Sequence, residues 1–308
     1  MEIVGFLLIL LFTVLNCGES MAVKAYAKRY GSGGMLMNAV IALFAALFIL
    51  ISDLVEGGGF YVPLAMLPYA AINCLLFASG FYFGFLAYKT GPYGLTRLIS
   101  SFSLLFTIFY GLFFLKEKAT YLTYIGIAMI FAAMVLINYK SLMRKPKAAP
   151  TDEEAAAPAE DAENGVSLKW LFFLMISLVS NGFIGILMKM QQNRFEGACD
   201  NEFQVLSIGG SFVLLAVLGL IVDRDKLRTV AKNGMLYGAI SGLFNGAKNL
   251  VTLLIYAILP LSTVSPIKTG LGMVSAFILS LTFYKEKYSV LQIVGVALGA
   301  GAVVLLAL

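Results

Sequence analysis

The chain has 308 residues, 60% of them hydrophobic and only 13% charged, with a formal net charge of +5 and no histidine. So large an apolar share excludes an ordinary soluble domain, and the basic residues lie in short loops beside apolar runs, a pattern of membrane topology rather than of a nucleic-acid-binding stripe. Cys17, Cys74 and Cys199 are odd in number and lack metal-ligand spacing, so neither a redox compartment nor a metal follows from them; two of them read as small packing residues in apolar runs.

A membrane helix needs about 20 mostly apolar residues, and ten such spans are predicted. Before the middle of the chain they cover 3–27, 35–52, 61–88, 93–115 and 120–139; after it they cover 168–190, 203–222, 231–257, 263–284 and 290–308. Glu2 and the lack of a basic leader and small-residue cleavage site make the first span a retained helix. Glycine, proline and charge clusters separate the spans, among them Gly91-Pro92, Lys116-Glu117-Lys118, Pro260 and Lys285-Glu286-Lys287. Tyr61, Tyr121, Tyr139, Trp170 and Tyr288 lie near span ends, as interfacial anchors would. Residues 140–167, rich in Ala, Pro, Lys and Glu, have too little to bury and are expected to form a disordered hydrophilic linker.

The two halves, 1–139 and 168–308, repeat. Phe114-Leu115-Lys116-Glu117-Lys118, followed by Gly126, returns as Phe283-Tyr284-Lys285-Glu286-Lys287, followed by Gly295, at an offset of 169. Asn16 and Lys24 return as Asn181 and Lys189 at an offset of 165. Five spans is an odd number, so the second repeat enters the membrane from the opposite side. The fold class expected is therefore an all-α membrane protein of ten transmembrane helices in two inverted five-helix repeats, an architecture typical of carriers. Near span ends 14 Lys and Arg residues fall on the linker side against 3 opposite, which places the linker in the cytoplasm and both termini outside.

Ionisable groups at membrane depth are functional candidates, because an unpaired charge in hydrocarbon costs several kcal/mol, roughly. Lys248 lies mid-span, and Ser241, Asn245, Lys248, Asn249, Thr252 and Tyr256 share one helical face. That stripe reads either as interhelical hydrogen bonding or as the wall of a water-filled cavity. Lys268 and Arg97 occupy near-equivalent turns after Pro260 and Pro92, where helix N-termini favour an anionic group; reaching headgroups is the alternative. Glu19, on the same face as Asn16, is the one carboxylate well inside a predicted span; it pairs a lysine, takes a proton or holds a substrate amine. Lys24 and Lys189 are near enough to span ends to snorkel. Gly80 and Gly84 have the spacing of close helix packing, and the Lys-Glu-Lys turns read as topology and capping elements. There is no phosphate-binding glycine loop, nucleophile elbow or intramembrane aspartate pair, so no enzyme, cofactor or metal is expected.

The repeats, each with an aromatic-x-Lys-Glu-Lys turn before a final glycine-containing helix, resemble the EamA-like branch of the drug/metabolite transporter superfamily over nearly the whole chain except the linker. The resemblance implies a monomeric or homodimeric secondary transporter in a plasma membrane of bacterial type, with substrates such as amino acids, sugars, phosphorylated sugars or drugs. In the related small multidrug resistance proteins a glutamate lies eight residues before a first-helix lysine; here Asn16 and Asn181 hold that position before Lys24 and Lys189. This departure weighs against proton-coupled export of cationic drugs unless Glu19 takes the role.

The expected function is alternating-access transport of a small acidic or zwitterionic metabolite, with the bilayer as its other partner and a coupling proton or exchanged metabolite. Lys248 would hold the acidic group, Arg97 and Lys268 would act near the gates, and Asn16, Asn73, Asn181, Asn245, Asn249, Thr252, Tyr82 and Tyr256 would supply neutral contacts. Two alternatives stand beside it. One is an amine or cationic-drug exporter built on Glu19, and the other is a non-transporting scaffold or lipid-handling subunit whose partner docks on the linker.

Overall fold

A computed structural model describes residues 2–31, 33–55, 60–90, 96, 99–100, 102–143, 168–196, 198–279 and 289–307. Arg97, the Gly91-Pro92 break, residues 144–167 of the linker and the Lys285-Glu286-Lys287 turn lie outside them, while residues 140–143, predicted as the start of the linker, continue the helix Tyr121–Met143. Among the described residues no strand occurs, and ten principal helices follow one another. They are α1 (Glu2–Tyr30), α2 (Gly34–Val55), α3 (Leu67–Thr90, entered through a 3-10 turn at Leu64–Met66), α4 (Leu104–Phe109) and α5 (Tyr121–Met143). After the linker come α6 (Leu168–Phe195), α7 (Asp200–Val222), α8 (Met235–Ile258), α9 (Leu261–Leu279) and α10 (Val290–Ala307). Five helical segments, in α1, in α2, across the 3-10 turn into α3, in α6 and in α7, are long and apolar enough to cross a membrane. Their large hydrophobics, such as Leu7, Val14, Leu75, Val217 and Ile221, point outward, as lipid-facing residues do. The protein is an α-helical membrane protein.

The helices pair lengthwise: α1 with α8, α3 with α6, α2 with both α7 and α8, α3 with α7, and α5 with α10; α9 lies against α1, α4 and α10. Exchanging each helix for the one five places along turns α1/α8 into α6/α3, α2/α8 into α7/α3, and α1/α9 into α6/α4. Small residues allow the closest approaches. A Cβ on Gly242 of α8 would lie 2.8 Å from the Ile41 carbonyl of α2, and one on Gly246 would lie 2.9 Å from that of Ala45.

One end of the bundle gathers the end of α1, the starts of α2, α6 and α8, and the ends of α3 and α7. There Asp223, at the end of α7, accepts the Met35 N–H of α2 at 2.8 Å and the Lys226 ammonium at 2.9 Å. At the opposite end the largest apolar cluster, including Ile9, Met66, Ile108, Phe203, Leu253, Leu259, Leu261 and Val264, draws on α1, the approach to α3, α4, α7, α8, α9 and the Leu259 turn. This cluster closes the far end.

Several predicted details change. The hydropathic signal of α6 stops at Met190, yet the helix runs on to Phe195, because Gln191 and Gln192 turn inward toward Asp200, Gln191 donating to its Oδ1 at 3.2 Å. Trp170 is no interfacial anchor: it is 1% exposed and donates its indole N–H to the Thr96 hydroxyl at 2.9 Å. Two further helical carboxylates, Asp53 in α2 and Glu202 in α7, are buried. Both lie in end turns, just outside the predicted spans 35–52 and 203–222, so Glu19 remains the carboxylate well inside a predicted span.

Candidate functional site

The polar stripe of α8 meets α1. Asn245, Lys248, Asn249, Thr252 and Tyr256 follow the three- and four-residue spacing of one face, and that face turns away from lipid. Lys248 forms an ion pair with Glu19 Oε2 and reaches Asn16 Oδ1 at 3.4 Å. Asn245 donates its amide N–H to Glu19 Oε1 at 2.7 Å, and Asn249 donates to the Asn245 carbonyl and amide oxygens, each at 2.9 Å. Both carboxylate oxygens of Glu19 are therefore engaged. A polar side chain withdrawn from water must find partners, and here Asn245 and Lys248 find theirs across the α1/α8 interface while Asn249 finds its own one turn back on α8.

A cleft of about 290 Å³ opens over this pair, lined by Asn16, Glu19, Ser20, Val23, Lys24 and Lys248. It occupies the linker-end half of α1, with Ser20 exposed. One turn deeper on each helix lie Phe12 and Thr252, and between them Lys268 of α9. Lys268 donates to the Thr252 hydroxyl at 3.2 Å, with its ammonium 4.0 Å from the Phe12 ring centroid and 5.3 Å from that of Tyr256. Among the described residues no carboxylate forms an ion pair with Lys268. Below this layer the apolar cluster begins with Ile9, Leu253 and Leu259.

Three predicted residues stand apart from the cleft. Asn181 of α6 donates to the Ser177 carbonyl at 2.8 Å and faces Gly80 of α3. Gly80 and Gly84 do serve close packing: the Ser177 hydroxyl donates to the Gly80 carbonyl at 3.0 Å, and Ser79 and Ser180 share a 2.9 Å hydrogen bond. Tyr82 packs with Met35, Ala39 and Leu215, so it braces α2, α3 and α7. Asn73 is fully buried in α3, with neither side-chain polar atom bonded among the described residues. Period and polarity select such residues equally well; which neighbour each face meets is a tertiary fact.

A second constellation holds the break between α8 and α9. Lys189 of α6, which is 8% exposed and does not snorkel, donates to the Tyr256 carbonyl and, at 3.3 Å, to that of Leu259. Glu117, in the turn after α4, accepts the Leu261 and Ser262 N–H groups, each at 2.8 Å. The cation thus meets unpaired carbonyls where α8 ends and the carboxylate meets unpaired N–H groups where α9 starts, matching both helix dipoles. The Lys-Glu-Lys turn is the one sequence signal that pointed here, as a capping element.

No protein-family model and no curated protein matches this chain. Among solved structures, one described as "Crystal structure of protein" superposes with a TM-score of 0.75 at 11% identity, over 99% of this chain and 97% of that one. At that identity the likeness is one of fold, and it runs from end to end.

Proposed function

We propose that this protein is a secondary carrier, EamA-like in the sense of the resemblance above, with ten membrane spans in two inverted five-helix repeats working by alternating access. The observation that carries the reading is the layered cationic cleft between α1 and α8. Lys248, paired to Glu19, lines the cleft together with Lys24, and Lys268 lies one turn deeper, against Phe12 and Thr252 and outside the cleft's lining. A charge-bearing cleft closed at one end and bounded by lipid-facing helices suits a solute waiting for the other end to open. The preserved pairing under a five-helix exchange supports the repeat. The substrate is a small polar metabolite, acidic or zwitterionic, and the linker lies in the cytoplasm of a bacterial-type plasma membrane.

Glu19 is already held by Asn245 and Lys248, which weighs against an exporter that uses it as a free carboxylate for amines. The test is counterflow in vesicles containing the purified protein, across acidic, zwitterionic and cationic metabolites. Uptake of acidic or zwitterionic solutes that Lys248→Ala abolishes is the expected result. Movement of no solute in any gradient, or flux indifferent to Lys248, ends the carrier reading as stated; amine flux lost in Glu19→Gln replaces it with the exporter.

A further inference from the structure

The two halves of the bundle share a plan, and one set of corresponding positions shows where they part. Between α1 and α6 the offset is 165, which carries Asn16 to Asn181; between α3 and α8 it is 168, which carries Tyr88 to Tyr256 and Pro92 to Pro260. The structure keeps this register where α1 meets α8 and α6 meets α3: Lys248 reaches Asn16, and at the corresponding place Asn181 faces Gly80. Nearer the helix ends the correspondence of contacts stops. At the end away from the linker α6 packs against α8, Met188 and Leu253 are 2% and 0% exposed within the sealing apolar cluster, and Lys189 holds the Tyr256 carbonyl beside them.

The same offsets carry Val23 to Met188, Tyr26 to Gln191, Ala27 to Gln192 and Phe85 to Leu253. At the linker end Val23, Tyr26 and Ala27 of α1 and Phe85 of α3 line a pocket of about 50 Å³, and among the described residues α1 and α3 show no packing like that of α6 on α8. Val23 also lines the neighbouring cleft, as does Lys24, the counterpart of Lys189. Positions that are buried at the sealed end therefore border a gap at the end that carries the cleft.

We infer that Val23, Tyr26 and Ala27 on α1 and Phe85 on α3 form a second gate, which closes beside the cleft when the Lys189 contact at the far end lets go. This rests on the carrier reading and adds to it the residues that alternate. Little movement is needed, since at about 30 Å³ per water the pocket has room for about two waters. Bringing half-buried Val23 and Phe85 together removes apolar surface from water and favours closure here. The charge-assisted bond of Lys189 to the main chain favours closure at the other end. The α1/α8 and α3/α6 pairs join the two ends, so a gain at one is set against a loss at the other.

Cysteine cross-linking tests the gate. In protein reconstituted into vesicles, with Cys17, Cys74 and Cys199 replaced by serine, Val23→Cys and Phe85→Cys are introduced together, and disulfide formation under copper phenanthroline is followed by mass. The pair should link slowly with Lys189 present and about tenfold or more faster with Lys189→Met, the worth of one charge-assisted hydrogen bond. Glu117→Gln, which weakens the cap on the other side of the α8–α9 break, should act in the same direction and less strongly. Glu202→Ala removes the acceptor of the Tyr61 N–H without touching that break, and should leave the rate as it was. No link in any background, equal rates with and without Lys189, or an equal rise with Glu202→Ala overturns the gate. Counterflow with the acidic, zwitterionic and cationic panel separates the two readings. Linking that answers to Lys189 in a protein that moves no solute removes the carrier and keeps the gate; flux undiminished once the pair is linked keeps the carrier and removes the gate.

Discussion

At the scale of single residues, Glu117 and Lys189 do more than their neighbours in sequence announce. Each closes an open helix terminus from a different element, and each is joined to main-chain atoms more than 60 positions away. Hydrogen bonds to charged groups are worth about 1.5–3 kcal/mol, and a buried group left without its partner costs a comparable amount. Glu117→Ala should therefore lower stability by about 2–3 kcal/mol, read as a fall in the denaturation midpoint in detergent. Glu117→Gln, which keeps one acceptor oxygen, should lose less. Lys189→Met should show a loss of similar size, since it leaves the Tyr256 and Leu259 carbonyls bare while preserving the volume of the stem.

At the scale of elements, α8 carries the site because it does two jobs on two faces. Its polar face meets α1, and its glycine face lets the α2 backbone approach within contact of Gly242 and Gly246. Gly246→Val should push the two helices apart, costing about 1–3 kcal/mol by overpacking, with an earlier melt and a broader size-exclusion peak as the readout. Apolar length and helical period were enough to find the five long apolar segments and the face that holds Asn245, Lys248 and Asn249, because both are properties local to one helix. The partner of that face was not legible. Nothing local says that Glu19 meets Lys248 rather than Lys268, or that Tyr82 and Asn181 spend their polarity on packing against α2, α3 and α7. Hydropathy likewise missed the last turn of α6, where polar side chains go inward to meet Asp200. Pro266 lies inside α9 without ending it, early enough in the helix that only its first turns are disturbed.

At the scale of the whole molecule, the bundle is closed by an apolar cluster at the Glu117 end and carries its cleft toward the linker end. A probe that cannot cross the bilayer should therefore find the two ends unequal. With Cys17 replaced by serine, Ser20→Cys should react readily with a membrane-impermeant thiol reagent supplied from the linker side. Ser262→Cys, at a position 1% exposed beneath the far seal, should stay protected from both sides in this conformation. If the protein is the carrier proposed above, a solute that draws it into an alternate conformation should reverse the order of labelling.

Asp223 closes the first turn of α2 from 188 positions further along the chain. On a ribosome adding roughly 5–20 residues per second, that partner arrives about 10 to 40 seconds after the turn it completes. Throughout that interval the nascent protein holds α2 in the membrane with an N-terminus not yet capped by protein, so water or lipid headgroups must stand in for the carboxylate. The α8–α9 break has the opposite history: Glu117 and Lys189 are both synthesised before it, and its caps are waiting when it emerges.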